Sequence, residues 1–260
     1  MNLETLQCLI APLIKDTCFE GNTYFAGGCV RDYVMTLQKS NKLDSCLCEK
    51  NINNTDKVLS NSILGDVDIC VHLPNGGIKL AKHLYHILNG TNLVEYPSFG
   101  TASFLYKDLH LEFVATRKEI YRKSNRYPKV EFGSLKDDVL RRDFTINALL
   151  MDISKGNIMD LCGLGLQDLK NGIIRSLGKP EIKFAEDPIR MLRAVRFSLR
   201  FGFNIEATTW KALASESKNL SSLSGKLIKL ETEKMLNNCS KKELEEMFDK
   251  LGWSMWFFDD

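Results

Sequence analysis

Apolar residues recur at helical spacing from the start of the chain. Leu3, Leu6, Ile10, Leu13 and Ile14 share one side, which predicts a helix over 3–15. The run Thr23-Tyr24-Phe25-Ala26 reads as a strand, Gly27-Gly28 as a turn, and 30–37 as a second helix. Residues 38–64 are rich in Asn, Ser, Lys and Asp without periodicity, so they read as an inserted surface loop with room for a short helix. A strand at 67–72, the turn Pro74-Asn75-Gly76-Gly77, a helix at 78–88 and two strands at 102–106 and 110–115 follow. A helix near 135–150 and a strand near 157–160 complete a mixed α/β unit. Beyond Gly178-Lys179-Pro180 the pattern is helical only, with helices expected at 187–201, 208–217, 227–236 and 241–251. The expected architecture is therefore an α/β domain over 1–178 and an all-α domain over 179–260.

Composition narrows this little. Of 260 residues, 44% are hydrophobic and 26% charged, with only 6 prolines, which fits an ordinary folded chain. A net charge of +2 means that any nucleic-acid contact must come from local clusters of cations. The N-terminus lacks a basic region followed by an uninterrupted apolar core, and no apolar run reaches 18 residues, so neither a signal peptide nor a membrane span is expected. The 8 cysteines include no C-x-x-C, and the 4 histidines form no metal-binding pattern. They read as free thiols of a reducing cytoplasm and as surface or core imidazoles.

The chemistry gathers around Gly65-Asp66-Val67-Asp68-Ile69. On a strand, Asp66 and Asp68 project from one face, and two adjacent carboxylates call for a cation, with oxygen donors favouring Mg²⁺. Glu112, between Leu111 and Phe113, either faces solvent on an edge strand or joins them as a third carboxylate. Such a cluster serves two-metal phosphoryl transfer. Upstream, Gly27 and Gly28 allow backbone N–H groups close to a phosphate. From Arg117, six cations and two tyrosines surround Glu119; this is either a solvated loop or a grip on a single-stranded nucleic-acid end. Arg141-Arg142-Asp143-Phe144-Thr145-Ile146-Asn147 places two arginines and Asn147 on or near one helix. Asp187, Arg190, Arg193 and Arg196, three apart, would form one polar stripe, unless Asp187 and Arg190 are only an intrahelical ion pair.

Four motifs, Gly27-Gly28-Cys29-Val30-Arg31-Asp32, Asp66-Val67-Asp68, Arg141-Arg142-Asp143-Phe144-Thr145-Ile146-Asn147-Ala148 and Glu186-Asp187-Pro188-Ile189-Arg190, in this order over roughly residues 22–205, resemble the class II tRNA nucleotidyltransferase and bacterial poly(A) polymerase family. The resemblance implies a polymerase-β-like nucleotidyltransferase head with a mixed sheet, followed by a helical neck that selects the base. It implies transfer of CMP or AMP from CTP and ATP to an RNA 3′ end, with tRNA as the acceptor, in the cytoplasm and with Mg²⁺. Asp66 and Asp68 match the metal-binding pair; Glu112, read from its strand position, is the expected third catalytic carboxylate. Gly27, Gly28, Arg31, Arg142 and Asn147 fall in the nucleotide-binding motifs, and Gly28, Arg31 and Arg142 match positions that hold the triphosphate. Asp187 and Arg190 match the pair that reads the base edge, and Arg193 and Arg196 match nucleotide-contacting positions. Arg117, Arg122, Lys123 and Arg126 are the candidate RNA contacts. The chain departs from the family in its 38–64 insertion and in lacking body and tail domains after the neck, so a partner chain or oligomer could supply the missing RNA grip. The apolar stretch from Trp253 to Phe258 would pack on that missing part. A poly(A) polymerase on the same scaffold shares these motifs; against the other rival, a non-catalytic nucleotide- or RNA-binding relative, stand the intact Asp66, Asp68, Arg142, Asp187 and Arg190.

Overall fold

The computed structural model describes residues 1–40, 65–122 and 125–254, without side chains over 121–127. The insertion beyond residue 40, Cys46, Cys48 and Lys123 lie outside the described residues. Contacts within the chain divide it into two compact units. The first comprises Met1–Ile120, Lys129–Arg141 and Asn147–Leu166; the second comprises Tyr121–Pro128, Arg142–Ile146 and Gln167–Asp260. The sequence boundary at 178 thus falls inside the second unit, because the strand at Ile173–Ile174 pairs with Asn204–Ile205.

In order, the chain forms α1 (Leu3–Ile14), β1 (Thr23–Ala26), α2 (Gly28–Lys39), β2 (Asp66–Val71), α3 (Gly76–Leu88), β3 (Thr91–Tyr96), β4 (Thr101–Tyr106) and β5 (Leu109–Ala115). It continues with β6 (Arg117–Arg122), β7 (Asn125–Phe132), α4 (Leu135–Leu140), β8 (Leu150–Asp152) and β9 (Ile158–Met159). Among the described residues, seven strands make one sheet in the order β3-β4-β5-β2-β1-β8-β9. Only β2 and β5 run parallel among its described pairs, and α3 with β3 and β4 lies between them in the chain. Helix α3 lies so close to β5 that a Cβ on Gly77 would meet the Gly100 and Phe113 carbonyl oxygens at 2.6 Å. Those obstacles are backbone atoms and cannot rotate away. Gly77→Ala is therefore expected to cost about 1–3 kcal/mol, read as a lowered midpoint in urea unfolding at unchanged slope.

Three elements differ from the sequence reading. The helix expected over 135–150 ends at Leu140; a 3₁₀ turn at Thr145–Asn147 follows, and then β8 joins the sheet. Residues 148–151 are buried one after another, a pattern that suits a strand covered on both faces and not an amphipathic helix. The cation-rich stretch from Arg117 forms the strand pair β6–β7 rather than a loop. The exposed edge strand β3 went unread, because its buried side is too weak to mark a period.

The second unit contains α5 (Gly165–Asn171), β10 (Ile173–Ile174), α6 (Pro180–Glu186), α7 (Ile189–Phe201), β11 (Asn204–Ile205), α8 (Ala207–Ser215), α9 (Gly225–Leu236) and α10 (Lys241–Leu251). It is thus mainly helical, not helical only. The helix expected from Asp187 begins at Ile189. Asp187 itself is extended (φ −148, ψ 96), as a residue before proline is pushed to be, and it ends α6. For the stretch 253–258 the expectation is overturned at Trp253, while 255–258 lie outside the described residues. Gly252 closes α10 in the left-handed region (φ 69) and turns the chain back. Trp253 is consequently fully buried within the unit; its ring lies 5.7 Å from that of Phe248, and Nε1 donates to the Leu213 carbonyl at 3.1 Å.

Candidate active site

The sheet brings the glycine turn and the acidic strand together. Ala26, the last residue of β1, pairs with Asp68 of β2, so Gly27 and Gly28 leave the sheet beside that aspartate. Gly27 has φ 70 and ψ −129, a region open to glycine alone. It turns the chain into α2, whose first turn has no side-chain cap, leaving its N–H groups for an anion. In β2, Val67 and Ile69 are buried while Asp66 and Asp68 are exposed, as strand alternation requires.

Glu112 stands directly opposite Asp68 on the parallel strand β5, and His110 stands opposite Asp66. The sequence reading missed His110: its Nδ1 lies 3.3 Å from Asp66 Oδ1, and only the strand register brings the two together. Burial first, and then the Asp68 charge, pushes the Glu112 carboxyl above its usual range, with Asp66 adding to the effect. Among the described residues no three His, Cys, Asp or Glu side chains form a ready-made metal cage. Two exposed carboxylates with a third acid pressed against them nonetheless fit Mg²⁺, which binds through one or two carboxylates and substrate phosphates while keeping waters.

A raised carboxyl pKa has a definite linkage sign. The folded state holds the Glu112 proton more tightly, so this group's stabilising contribution is complete below the unfolded pKa and is lost as pH rises through the folded one. In metal-free buffer, Glu112→Gln is expected to raise the melting temperature at pH 7, with the gain shrinking towards pH 4. An equal gain at both pH values would show that the carboxylate charge is not its source.

Arg31 is 3% exposed. Its Nη1 donates to Asn147 Oδ1 at 2.6 Å, and its Nε donates to Asp32 at 2.8 Å, so two residues from separate motifs meet in the first unit. Arg117 is likewise drawn inward. It pairs with Glu119 at 2.9 Å, Arg141 reaches Glu119 at 3.4 Å, and Arg141 grips Asp138 at 2.7 Å. Glu119 and Asp138 are both buried side chains, so two cations and two acids form a compensated cluster at the root of β6. Burial, and next the Arg141 charge, lowers the Arg117 pKa. The side chains of Arg122 and Arg126 lie outside those described.

In the second unit, Arg190 is buried on α7 and reaches Glu186 at 3.5 Å across the Asp187-Pro188 break. Its N–H donates to the Asp187 carbonyl at 3.1 Å. Arg193 Nε and Nη2 both meet Asp143 Oδ2, at 2.7 and 2.6 Å. Arg196 pairs at 2.7 Å with Glu231, a buried acid on α9 that also accepts from Lys234. The expected stripe is therefore a set of arginines each held by a carboxylate, with Asp187 off the helix. Arg142 is half-buried in the same unit, at the head of the turn that continues through Asp143.

Such a sheet, with its glycine turn and acidic strand, has the form of a polymerase-type head, and a mainly helical unit follows it in the chain. Residues 23–175 match the poly A polymerase head domain. The chain belongs to that family, within the class II tRNA nucleotidyltransferases. Over 225 residues it is 36% identical to the CCA-adding enzyme of Leuconostoc mesenteroides, covering 86% of this chain and 47% of that protein. Over 151 residues it is 44% identical to the A-adding tRNA nucleotidyltransferase of Aquifex aeolicus, covering 57% of this chain and 18% of that protein. The Bacillus stearothermophilus CCA-adding enzyme, solved in complex with CTP, superposes with a TM-score of 0.71 at 26% identity, over 97% of this chain and 53% of that one. The chain spans about half the length of that structure and less of the two curated relatives.

Proposed function

We propose that the chain transfers CMP, AMP or both from CTP and ATP to the 3′ hydroxyl of tRNA, releasing pyrophosphate. The observation that carries this reading is the register pair Asp68–Glu112, with Asp66 on the same strand and the glycine turn alongside. We read residues 1–178 as the head and 179–260 as the base-selecting neck. In the reaction the RNA 3′ oxygen bonds to the α-phosphorus and the bond to the β-phosphate oxygen breaks. The hydroxyl proton passes to solvent.

Asp66 and Asp68 would hold a divalent ion, Mg²⁺, which when bound lowers the pKa of the attacking hydroxyl and offsets phosphate charge. Glu112 keeps the acidic surface within one strand spacing of that pair. The backbone N–H groups at Gly27 and Gly28 receive phosphate at the α2 N-terminus, with Arg31, ordered by Asn147, supplying positive charge. Arg142 is assigned to the triphosphate by its place in the matching motif. Asp187 and Arg190 read the Watson–Crick edge, and Arg193 and Arg196 belong to the same nucleotide-selecting helix. We assign the RNA contacts to Arg117, Arg122, Lys123 and Arg126, with Arg117 held at the anchored root of β6.

No helix among the described residues is long and apolar enough to cross a membrane. We assign the action to the cytoplasm, as the family resemblance implies. The test is incubation of the chain with labelled CTP or ATP, Mg²⁺ and tRNA lacking its CCA end. Label is expected in the tRNA, with EDTA abolishing it. Failure of both nucleotides to label tRNA under saturating Mg²⁺ would contradict the reading.

A further inference from the structure

Family position alone makes Arg193 a residue that touches the nucleotide, but its surroundings give it other work. One face of its guanidinium lies over the Phe197 ring, with 5.2 Å from the central carbon to the centroid. Both donors of its Nε–Nη2 edge close on one oxygen, Asp143 Oδ2, at 2.7 and 2.6 Å. The other oxygen of that carboxylate, Oδ1, accepts the Phe144 N–H at 2.8 Å. Phe144 is fully buried and meets Phe197 edge-on, with centroids 5.8 Å apart.

Residues 193 and 197 lie one helical turn apart, so a single turn of α7 grips the two successive residues 143 and 144. The far side of the same turn is fastened as well. The Asp143 carbonyl accepts the Leu177 N–H at 3.0 Å, and the Thr145 N–H donates to the Arg175 carbonyl at 3.0 Å. The turn so fixed begins at Arg142.

We infer that Arg193 is a positioning residue, which through Asp143 sets the turn that presents Arg142 to a nucleoside triphosphate's phosphates. This rests on the nucleotidyltransferase reading above and adds to it a division of labour along α7: Arg190 lies toward the base, and Arg193 acts toward the phosphates through a residue outside the helix. The planar two-donor edge matters because an ammonium cannot reproduce it. The Phe197 contact matters because it fixes the guanidinium plane that aims this edge.

The test compares CTP with CMP, since a residue acting through Arg142 governs phosphates beyond the first. Dissociation constants for both are measured by calorimetry on the unaltered chain, Arg193→Ala, Arg193→Lys, Arg142→Ala and the Arg193→Ala/Arg142→Ala double variant, beside melting curves. Arg193→Ala is expected to weaken CTP about tenfold and CMP less than about twofold, with Arg193→Lys restoring only part of the loss. In the Arg142→Ala background the second substitution should add nothing. Equal weakening of CTP and CMP, or additive losses in the double variant, would overturn the inference in favour of direct contact or of a structural role. If Arg193→Ala fails to fold, the same comparison is made with Arg193→Lys alone and in the Arg142→Ala background. If the unaltered chain binds no CTP, the nucleotidyltransferase reading falls first and this inference with it.

Discussion

Asp68→Ala and Asp66→Ala are each expected to lower nucleotide transfer by at least about a hundredfold, the scale of losing one charged partner of a reacting phosphate. Both side chains project from the exposed face of β2, and that of Asp66 is 87% accessible. Neither contributes to the core, which on this strand is built by Val67, Ile69, Cys70 and Val71. The loss should therefore come without a fall in melting temperature. Removing one charge even relieves the repulsion that raises the Glu112 carboxyl. Activity is measured at saturating Mg²⁺, so that a weakened ion site is not mistaken for lost chemistry. More than a tenth of the original turnover in either variant would remove the carboxylate pair from the mechanism.

A second large effect is expected at Asp187, on base choice rather than on rate. A carboxylate accepts from the exocyclic amino group of cytosine or adenine and repels the carbonyl that uracil or guanine presents there. Each such contact discriminates by about 1–3 kcal/mol. Asp187→Ala loses both the attraction and the repulsion, so CMP and AMP incorporation should fall while UMP and GMP rise relative to them. Asp187 is extended and caps the end of α6, so the substitution leaves the helical hydrogen bonds of α7 in place. Comparing kcat/KM for the four nucleotides beside a melting curve separates the outcomes. A uniform loss with a lowered melting temperature would make Asp187 a structural residue at the helix break.

Much of the first unit was legible because its strands and helices carry clear periods. The alternation of Asp66, Val67, Asp68 and Ile69 marked both a strand and its exposed acidic face, and the structure keeps both. The glycine turn was readable for a similar reason, since Gly27 adopts a backbone geometry no other residue takes readily. What stayed hidden depends on partners distant in the chain. His110 meets Asp66 only through the β2–β5 register, and Arg31 finds Asn147 across 116 positions of sequence. Spacing placed the arginines of α7 on one stripe, but not the carboxylates that hold them: Asp143 on a turn and Glu231 on another helix. Consecutive buried residues at 148–151 gave no period to separate a strand from a helix. Trp253 looked available to a further domain because an aromatic near a chain end is ambiguous until the left-handed Gly252 turns it inward.

The central claim is template-independent addition of C or A to tRNA, and it is tested most directly by reading the product. The chain is incubated with Mg²⁺, all four nucleoside triphosphates and tRNA lacking its CCA end, and the 3′ ends are sequenced. The predicted result is new ends made of C, A or both, absent when Asp68→Ala replaces the unaltered chain. Ends left unextended, or extended equally with U and G, would contradict it.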